Sequence, residues 1–418
     1  MTKRIFLSLR KHRNYRLFFS GQVVSLAGTW MQNIALAWFV IELTHSPLAI
    51  GGLAFCRFLP FMIFGLWAGV IADRIDNRKL VMATQAAQMA VSFALTVLAF
   101  SGWENIPAVY VLAFLGGTAL VFDAPGRQSL TFQMVGRDEL PNAVALNTGL
   151  FNGSRIIGPA IAGVIIAAGG VGICFAINTV SFLAVLVALA LMRREDLFPV
   201  KRGERQRTHT AIREGLSYAW HTPDVRLALI VLGIASTVGF NFHVILPVLT
   251  SETLHAGPRA FGILSACFGA GALVGATVQA ARGRASWRLL LTGATGFSAL
   301  LILLAPAKTV PFAGAVLFGA GICFTMWVSN TSALLQLQAP DRLRGRVMSL
   351  FMFAFAGLAP IGGLFAGWLM DIGGTPLALS LGGVLSLIVI GYAWTRQFPT
   401  RAVRPALVPE VEEVSRAA

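Results

Sequence analysis

Residues 69–82, GVIADRIDNRKLVM, carry five charges within seven positions, between two long apolar segments. The apolar segments cover residues 50–72 and 80–100. Each has about the 20 residues that a helix needs to cross the hydrocarbon core of a bilayer. The stretch is therefore predicted to be a short loop at a membrane surface, and its charges are Asp73, Arg74, Asp76, Arg78 and Lys79.

The composition supports a membrane protein over the whole chain. Of the 418 residues, 56% are hydrophobic and 12% are charged, about half the charged fraction of a soluble domain. A net charge of +15 would suggest nucleic acid in a soluble protein. Here Lys and Arg occur in short clusters between apolar segments, which is typical of cytoplasmic loops. The expected partner is thus the lipid bilayer and not nucleic acid.

The apolar segments predict an all-α membrane protein with twelve spans. Strands are implausible because the segments are continuous rather than alternating. The predicted spans 1 to 12 are residues 15–42, 48–72, 79–101, 106–126, 141–168, 171–192, 225–250, 258–281, 286–305, 309–335, 346–370 and 375–396. Basic residues then fall in every second loop and at both ends, while the opposite loops hold only Arg259 and Lys308. By the positive-inside rule both termini are cytoplasmic.

Two six-span halves are indicated by a central linker and by internal similarity. The predicted division is an N-terminal half 1–192, an Arg-rich cytoplasmic linker 193–224, a C-terminal half 225–396 and a cytoplasmic tail 397–418. LTHSPLAIGGL (43–53) aligns with LHAGPRAFGIL (254–264), and QMVGRDELPNAVAL (133–146) aligns with QLQAPDRLRGRVMS (336–349). Matches in the same order at the same span ends suggest duplicated halves.

The loop between spans 2 and 3 resembles the signature of the major facilitator superfamily, G-x-x-x-D-R-x-x-x-R-K, with Asn77 at a position where Gly or Arg is more usual. The resemblance covers nearly the whole chain. It implies a gating latch that forms when the protein is open to the outside and breaks when it opens inward. Asp123, at the inner end of span 4, is expected to receive Arg74 or Arg78. The alternative is that these charges only set topology. The latch residues are Gly69, Asp73, Arg74, Arg78, Lys79 and Asp123.

A second motif, GSRIIGPAIAG (153–163) in span 5, resembles the Gly-Pro element of the antiporters in this superfamily, most of which are exporters. Its residues are Gly158, Pro159 and Gly163. A packing seam without directional meaning is the alternative. Residues 29–51, 57–74, 137–147 and 339–350 resemble the branch that contains the enterobactin exporter and macrolide efflux proteins. That branch implies the bacterial inner membrane and substrates such as drugs or siderophores.

Two arginines, Arg57 in span 2 and Arg155 in span 5, are predicted to lie near mid-depth. Each costs about 2.5–3.5 kcal/mol there on insertion scales, so both should face a cavity. One interpretation is a positive cavity wall that contacts an anionic or carbonyl-rich substrate. The other is capping of the backbone near Pro60 and Pro159. In this superfamily spans 1, 4, 7 and 10 border the cavity, so the candidate contacts are Trp30, Gln32, Asn33, Arg57, Arg155, Asn241, His243, Trp327 and Asn330.

The leading hypothesis is a proton-coupled exporter, an antiporter that works by alternating access as a monomer. His243 could carry a proton, although a lone His is more often an interhelical hydrogen-bonding residue. The sequence contains no GxxxxGK[ST] motif for ATP, no HExxH and no GxSxG, so an enzyme is disfavoured and no cofactor is expected. No metal is expected because the four cysteines lie singly in apolar segments. The alternatives are an importer, a non-transporting sensor and a lipid flippase on the same fold.

Overall fold

The computed structural model describes residues 6–103, 105–199, 208–282 and 285–398, and these ranges contain helices and no strand. Two π-helical turns, Leu249–Thr253 and Phe353–Gly357, interrupt spans 7 and 11. The helices are α1 Leu7–Lys11, α2 Arg13–Thr44, α3 Pro47–Arg74, α4 Asn77–Ser101, α5 Ile106–Gly169, α6 Val171–Ala190, α7 Thr208–His221, α8 Pro223–Gly239, α9 Phe242–Val248, α10 Pro258–Arg282, α11 Trp287–Leu304, α12 Val310–Gln338, α13 Asp341–Met352 and α14 Ala359–Gln397.

Two glycines turn ten membrane-spanning segments into twelve spans. Among the described residues ten helical segments are long and apolar enough to cross a membrane. One of them, α5, has 64 residues and would be about 96 Å long if straight, roughly three times the hydrocarbon thickness. It reverses at Gly136 (φ 72°, ψ −175°), and α14 is broken by Gly374 (φ 68°, ψ −177°). Only glycine adopts such angles readily. The predicted twelve-span fold is confirmed.

The boundaries of spans 4, 5 and 7 differ from those predicted. Span 4 covers 106–135 and span 5 covers 137–169, so the loop between them is a single residue. The predicted spans left a loop at 127–140, which contains Arg127 and Arg137, yet every position in it except Gly136 is helical. Span 7 is not continuous, because α8 ends at Gly239 and α9 begins at Phe242.

The N-terminal half (spans 1 to 6) and the C-terminal half (spans 7 to 12) meet along two glycine seams. In the first, a Cβ built on Gly163 of span 5 would lie 2.7 Å from the carbonyl oxygen of Pro258 and 3.1 Å from the Cα of Gly262 in span 8. In the second, a Cβ on Gly51 of span 2 would lie 2.7 Å from the carbonyl oxygen of Gly363 in span 11. Gly51 and Gly262 are equivalent in the internal repeat, so the seams are related by the duplication.

Both seams lie toward the membrane side opposite the termini, which we call the distal end; the other is the terminal end. His45 Nδ1 and Glu252 Oε1, from the two halves, are 3.7 Å apart at the distal end. At the terminal end of spans 2, 5 and 11 a built Cβ would meet no atom within 4 Å at Gly65, Gly69, Gly149, Gly153 or Gly345. The hydrophobic core shows the same asymmetry between the two ends. One cluster of buried residues includes both halves, whereas a second cluster, at the terminal end, contains residues of the N-terminal half alone. The halves therefore pack closely at the distal end, and the described residues leave open space beside these glycines at the terminal end, where helix α7 still approaches span 2.

The segments outside the spans are bound to one half each. Lys11 of α1 forms a 3.0 Å ion pair with Glu139 near the start of span 5. Helix α7, within the predicted linker 193–224, is held to the C-terminal half by an ion pair between Glu214 and Arg346. Tyr218 of the same helix donates to the carbonyl of Gln338 at 2.9 Å. Linker residues 200–207 and tail residues 399–418 lie outside the described residues.

Candidate substrate cavity

Arg57 and Arg155 both belong to the N-terminal half and lack a carboxylate partner. Arg57 Nη2 donates to Asn33 Oδ1 of span 1 at 2.6 Å. Arg155 lies over three aromatic rings, with its Cζ 4.8 Å from the ring centre of Phe268, 5.5 Å from Phe324 and 5.8 Å from Trp30. Neither forms an ion pair within the described ranges, and both are only half-buried. Arg155 thus contacts rings of the C-terminal half directly. Arg57, with its Cζ 5.9 Å from the ring centre of Phe58, lies beside the space between the halves.

Aromatic rings of the C-terminal half face these arginines. Phe240 follows the break in span 7 and stacks on Phe324 of span 10 with ring centres 4.2 Å apart. It also stacks on Phe355, in the π-helical turn of span 11, at 5.6 Å. Breaking span 7 lets Phe240 point toward both neighbouring spans. The sequence does not single out this cluster, because phenylalanines are common throughout the chain. Their spacing along the sequence does not distinguish rings that face the cavity from rings that face lipid.

His243 lies where the two halves face each other across the cavity. Its ring centre is 5.4 Å from that of Phe58 in span 2 and 6.3 Å from that of Phe240. The side chain is exposed although it lies in the middle of span 7. Phe58, Phe240, Asn241, His243 and Phe355 line a cavity of about 60 Å³ between spans 2, 7 and 11, which is room for a few water molecules.

The polar residues of span 1 are divided between the cavity and the interior of the N-terminal half. Gln32 Oε1 accepts a 2.6 Å hydrogen bond from Asn178 Nδ2 of span 6. Gln32, Asn33 and Arg57 line a second small cavity inside the N-terminal half, about 50 Å³ in volume, together with Gln88. The Nε2 of Gln88 is buried and has no hydrogen-bond partner among the described residues, so water is its natural partner in this cavity. Trp30 instead packs on Phe151 and Arg155.

Two predicted contacts of span 10 lie behind the cavity wall. Asn330 is fully buried and exchanges hydrogen bonds of 2.9 and 3.1 Å with Gln279 of span 8. Trp327 is also fully buried, with its ring 5.8 Å from Phe297 of span 9. The superfamily places span 10 beside the cavity, but one face of that span packs against spans 8 and 9, and these two residues are on it. They hold the C-terminal half together in this conformation.

The loop between spans 2 and 3 does not make the expected pair with Asp123. Arg78 donates instead to the last carbonyls of span 6, with 2.7 Å from Nε to Leu189 and 3.0 Å from Nη2 to Ala190. A cation is favourable at that helix end because of the helix dipole. Asp76 begins span 3 by accepting from the backbone N–H of Lys79 at 3.1 Å.

The other latch residues of this loop are Gly69, Asp73, Arg74 and Lys79. The side chain of Asp73 lies outside the described residues, while Arg74 and Lys79 are exposed. Gly69, expected to allow close approach of span 2 to a neighbour, has open space where its Cβ would be. The cause is the open space between the halves at the terminal end.

Asp123 is the centre of a buried polar network within the N-terminal half. Its exposed fraction is 1%. One carboxylate oxygen accepts from Thr84 at 2.8 Å and from Gln85 at 2.9 Å, both in span 3. The other forms an ion pair with Arg127 one turn later in span 4, which also donates to Gln22 of span 1. The sequence carried a signal for this pair, because Asp and Arg four residues apart share one face of a helix.

The Gly-Pro motif of span 5 contacts two different neighbours. A Cβ on Gly158 would lie 2.8 Å from the carbonyl oxygen of Ala27 in span 1. The carbonyl oxygen of Pro159 would lie 2.5 Å from a Cβ on Gly262, and Gly163 meets the same turn of span 8. The first contact is within the N-terminal half and the others are between the halves. The motif thus occupies both a packing seam and the closed distal end.

Comparison with known proteins gives relatives that align over almost the whole chain. The staphyloferrin A transporter of Staphylococcus aureus is 27% identical over 90% of this chain and 94% of its own length. Macrolide efflux protein A of Streptococcus pyogenes is 22% identical over 91% and 96%. The enterobactin exporter EntS of Salmonella typhimurium is 26% identical over 92% of each chain. All three are named as transporters, efflux proteins or exporters of small molecules.

Solved structures and the family match agree with these relatives. The nucleoside transporter NupG superposes with a TM-score of 0.71 at 11% identity, covering 92% of this chain and 99% of its own. A POT family transporter superposes with a TM-score of 0.73 at 13% identity, covering 92% and 96%. At such identities the likeness concerns the fold alone. The family described as transmembrane secretion effector matches residues 6–408, and the chain therefore belongs to this family of major facilitator superfamily membrane transporters.

Proposed function

We propose that the protein is a proton-coupled exporter of small molecules, such as drugs or siderophores, in the bacterial inner membrane. The observation that carries this proposal is a polar and aromatic cavity between two halves that pack closely at the distal end and leave open space at the terminal end. Such a site, open to one side at a time, is what alternating access requires. The relatives named for efflux and export support the outward direction. We propose a monomer, since each cavity lies within one chain.

The placement of basic residues supports a cytoplasmic terminal end. With that orientation the described conformation faces inward, because the halves leave open space at the terminal end. The unmade latch fits this state, since Arg78 is bound to its own half. We propose that Gly69, Asp73 and the neighbouring basic residues approach the other half only when the protein faces outward.

Proton coupling is proposed from two titratable groups in different environments. His243 borders the cavity, where it can exchange protons with cavity water. Asp123 is buried in the N-terminal half with a fixed cationic partner, which makes it the weaker candidate for exchange. In an antiporter the binding of the proton and the binding of the substrate are coupled. Protonation of His243 would therefore change the affinity of the cavity for the substrate.

The test is accumulation of candidate drugs and siderophores in inverted membrane vesicles that contain the protein. We expect uptake that depends on an imposed pH gradient and stops when a protonophore collapses it. Vesicles with His243→Gln should lose the pH dependence while still exchanging substrate. Uptake only into right-side-out vesicles would indicate an importer. Translocation of labelled lipid with no solute uptake would indicate a flippase, and neither activity would support a sensor.

Orientation has a separate test at the linker helix. A cysteine placed at exposed Ser217 of a cysteine-free variant should resist impermeant thiol reagents in intact cells and react after lysis. Ready labelling in intact cells would reverse the assigned orientation and, with it, the inward-facing assignment. A cysteine at exposed Glu252 is the matched control, because it lies at the distal end and should react in intact cells.

A further inference from the structure

The two walls of the cavity differ in chemistry, and the difference follows the division into halves. The N-terminal half contributes the cations Arg57 and Arg155, and the C-terminal half contributes the rings Phe240 and Phe355. A solute held between the halves therefore meets positive charge on one side and aromatic surface on the other. A solute that bridges the two walls contacts both of them before they move apart in alternating access.

The two arginines have unused capacity for an anion. A guanidinium has five N–H donors, and Arg57 gives one hydrogen bond, to the neutral Asn33. Arg155 forms no hydrogen bond in the described part of the chain and is held by ring faces alone. The nearby acids are already engaged, Glu42 by Trp38 at 2.6 Å and Asp123 by Arg127. The compensating negative charge must therefore come from outside the described part of the chain.

The aromatic wall alone would favour a cation over an anion, because ring faces attract cations. Here the faces of Phe268, Phe324 and Trp30 already contact Arg155. A ligand cation would have to compete with that guanidinium and would be repelled by both arginines at low dielectric. The rings of Phe240 and Phe355 are half-buried, and a ligand ring can pack against their accessible parts in the edge-on geometry that aromatic pairs prefer.

We infer that the transported solute is an aromatic anion, bound with its acidic group at Arg57 and Arg155 and its ring against Phe240 and Phe355. The inference rests on the proposed transport function and names its substrate class. Carboxylates and guanidinium groups form paired, charge-assisted hydrogen bonds, so an acidic group on a ring satisfies both walls at once. His243, which is exposed and lies beside Phe58 of the other half, contacts the middle of the ligand.

The test compares four probes of similar size by equilibrium binding to the full chain in detergent. They are 2-naphthoate, 2-naphthamide, a naphthylmethylammonium and cyclohexanecarboxylate. We expect naphthoate to bind at least about tenfold more tightly than the amide, since charged hydrogen bonds are worth about 1.5–3 kcal/mol. Cyclohexanecarboxylate should bind more weakly than naphthoate, and the ammonium should not compete. Equal or tighter binding of the ammonium would overturn the inference.

Variants assign the two preferences to the two walls. Arg155→Gln and Arg57→Gln should remove the preference for acid over amide and keep the preference for a naphthyl ring. Phe240→Leu should do the reverse. Arg155→Lys keeps the charge without the planar fork and should retain part of the acid preference, which excludes misfolding as the cause of the loss. Arg226→Gln is the matched control, because Arg226 contacts Trp220 at the protein surface and should leave all four affinities unchanged.

Binding and transport fail separately in this design. If vesicles accumulate neutral or cationic drugs while no aromatic anion binds, the export proposal stands and the substrate inference is wrong. If the binding preferences appear as expected but no solute accumulates, the chain has a binding site for aromatic anions and the export proposal is wrong. Unchanged acid preference in both Arg→Gln variants would also reject the inference.

Discussion

Adding one methyl group to the seam between spans 5 and 8 should open the distal end. In Gly163→Ala the new Cβ would lie 2.7 Å from the carbonyl oxygen of Pro258, whereas ordinary contacts begin at 3.4 Å. The seam must therefore widen by the difference, 0.7 Å. The obstacle is backbone of span 8, so no side-chain rotation can relieve it. Overpacking of this kind costs about 1–3 kcal/mol.

This cost applies to the described conformation alone. Alanine also improves helix propensity by up to about 1 kcal/mol, but it does so in both conformations and cancels from their equilibrium. The ratio of distally open to distally closed protein should thus rise by about 5- to 150-fold. Gly153→Ala is the control on the same span, because its Cβ would meet no atom within 4 Å.

The assay is the distance between two spin labels at Leu48 and Glu252, which are exposed and lie in different halves at the distal end. Double electron–electron resonance should give one short distance for the labelled parent, in which the native cysteines are replaced. The same short distance is expected for Gly153→Ala. Gly163→Ala should add a longer distance as the main population. If the two variants give the same distribution, the seam does not control closure and the reasoning from backbone contact is wrong.

Three further perturbations have defined outcomes. Asp123→Asn should lower the free energy of unfolding in detergent by about 1–3 kcal/mol, because it leaves the partly exposed Arg127 without its counter-charge; adding Arg127→Gln should restore part of the loss, and additive losses would argue against a direct pair. Asp73→Asn should reduce transport in vesicles at unchanged membrane insertion, and unimpaired transport would remove Asp73 from the latch. Burial and then Lys11 lower the pKa of His12 below its ordinary value of 6.5, so the stability that neutral His12 provides is present above pH 6.5 and is lost as the pH falls. His12→Gln should flatten the dependence of thermal unfolding on pH between 7.5 and 5.5, whereas a slope equal to that of the parent would exclude His12 as its source.

The number and order of the spans could be predicted because apolar length and the alternation of basic loops constrain each other. An error of one span would have exchanged basic and neutral loops along the rest of the chain. The turn between spans 4 and 5 was harder to predict. Pro125 and Pro141 lie inside helices, and the reversal is made by Gly136 alone, whose neighbours in sequence do not mark it as a turn.

The candidate site was predictable where physical cost singled out a residue. Arg57 and Arg155 stood out because a charge at mid-depth is expensive. Arg155 contacts rings of the C-terminal half and Arg57 lies over Phe58, and their part in substrate binding stays a prediction. Trp327 and Asn330 were chosen from the span they occupy, and a span has several faces. Which face packs on spans 8 and 9 depends on contacts between distant parts of the chain, such as Asn330 with Gln279. A single sequence does not contain that information locally.

The residues that close the distal end, at the glycine seams, are different from the residues proposed to bind the solute. At Gly51, Gly163 and Gly262 the contact is made by backbone atoms, so closure does not depend on the identity of any cavity side chain. Mutations at Arg57 or Phe240 can then alter the preferred cargo while the moving parts keep their fit. On the proposed function, a lineage built on this arrangement can acquire new cargoes by few substitutions. Relatives of similar length are named for staphyloferrin A transport, macrolide efflux and enterobactin export.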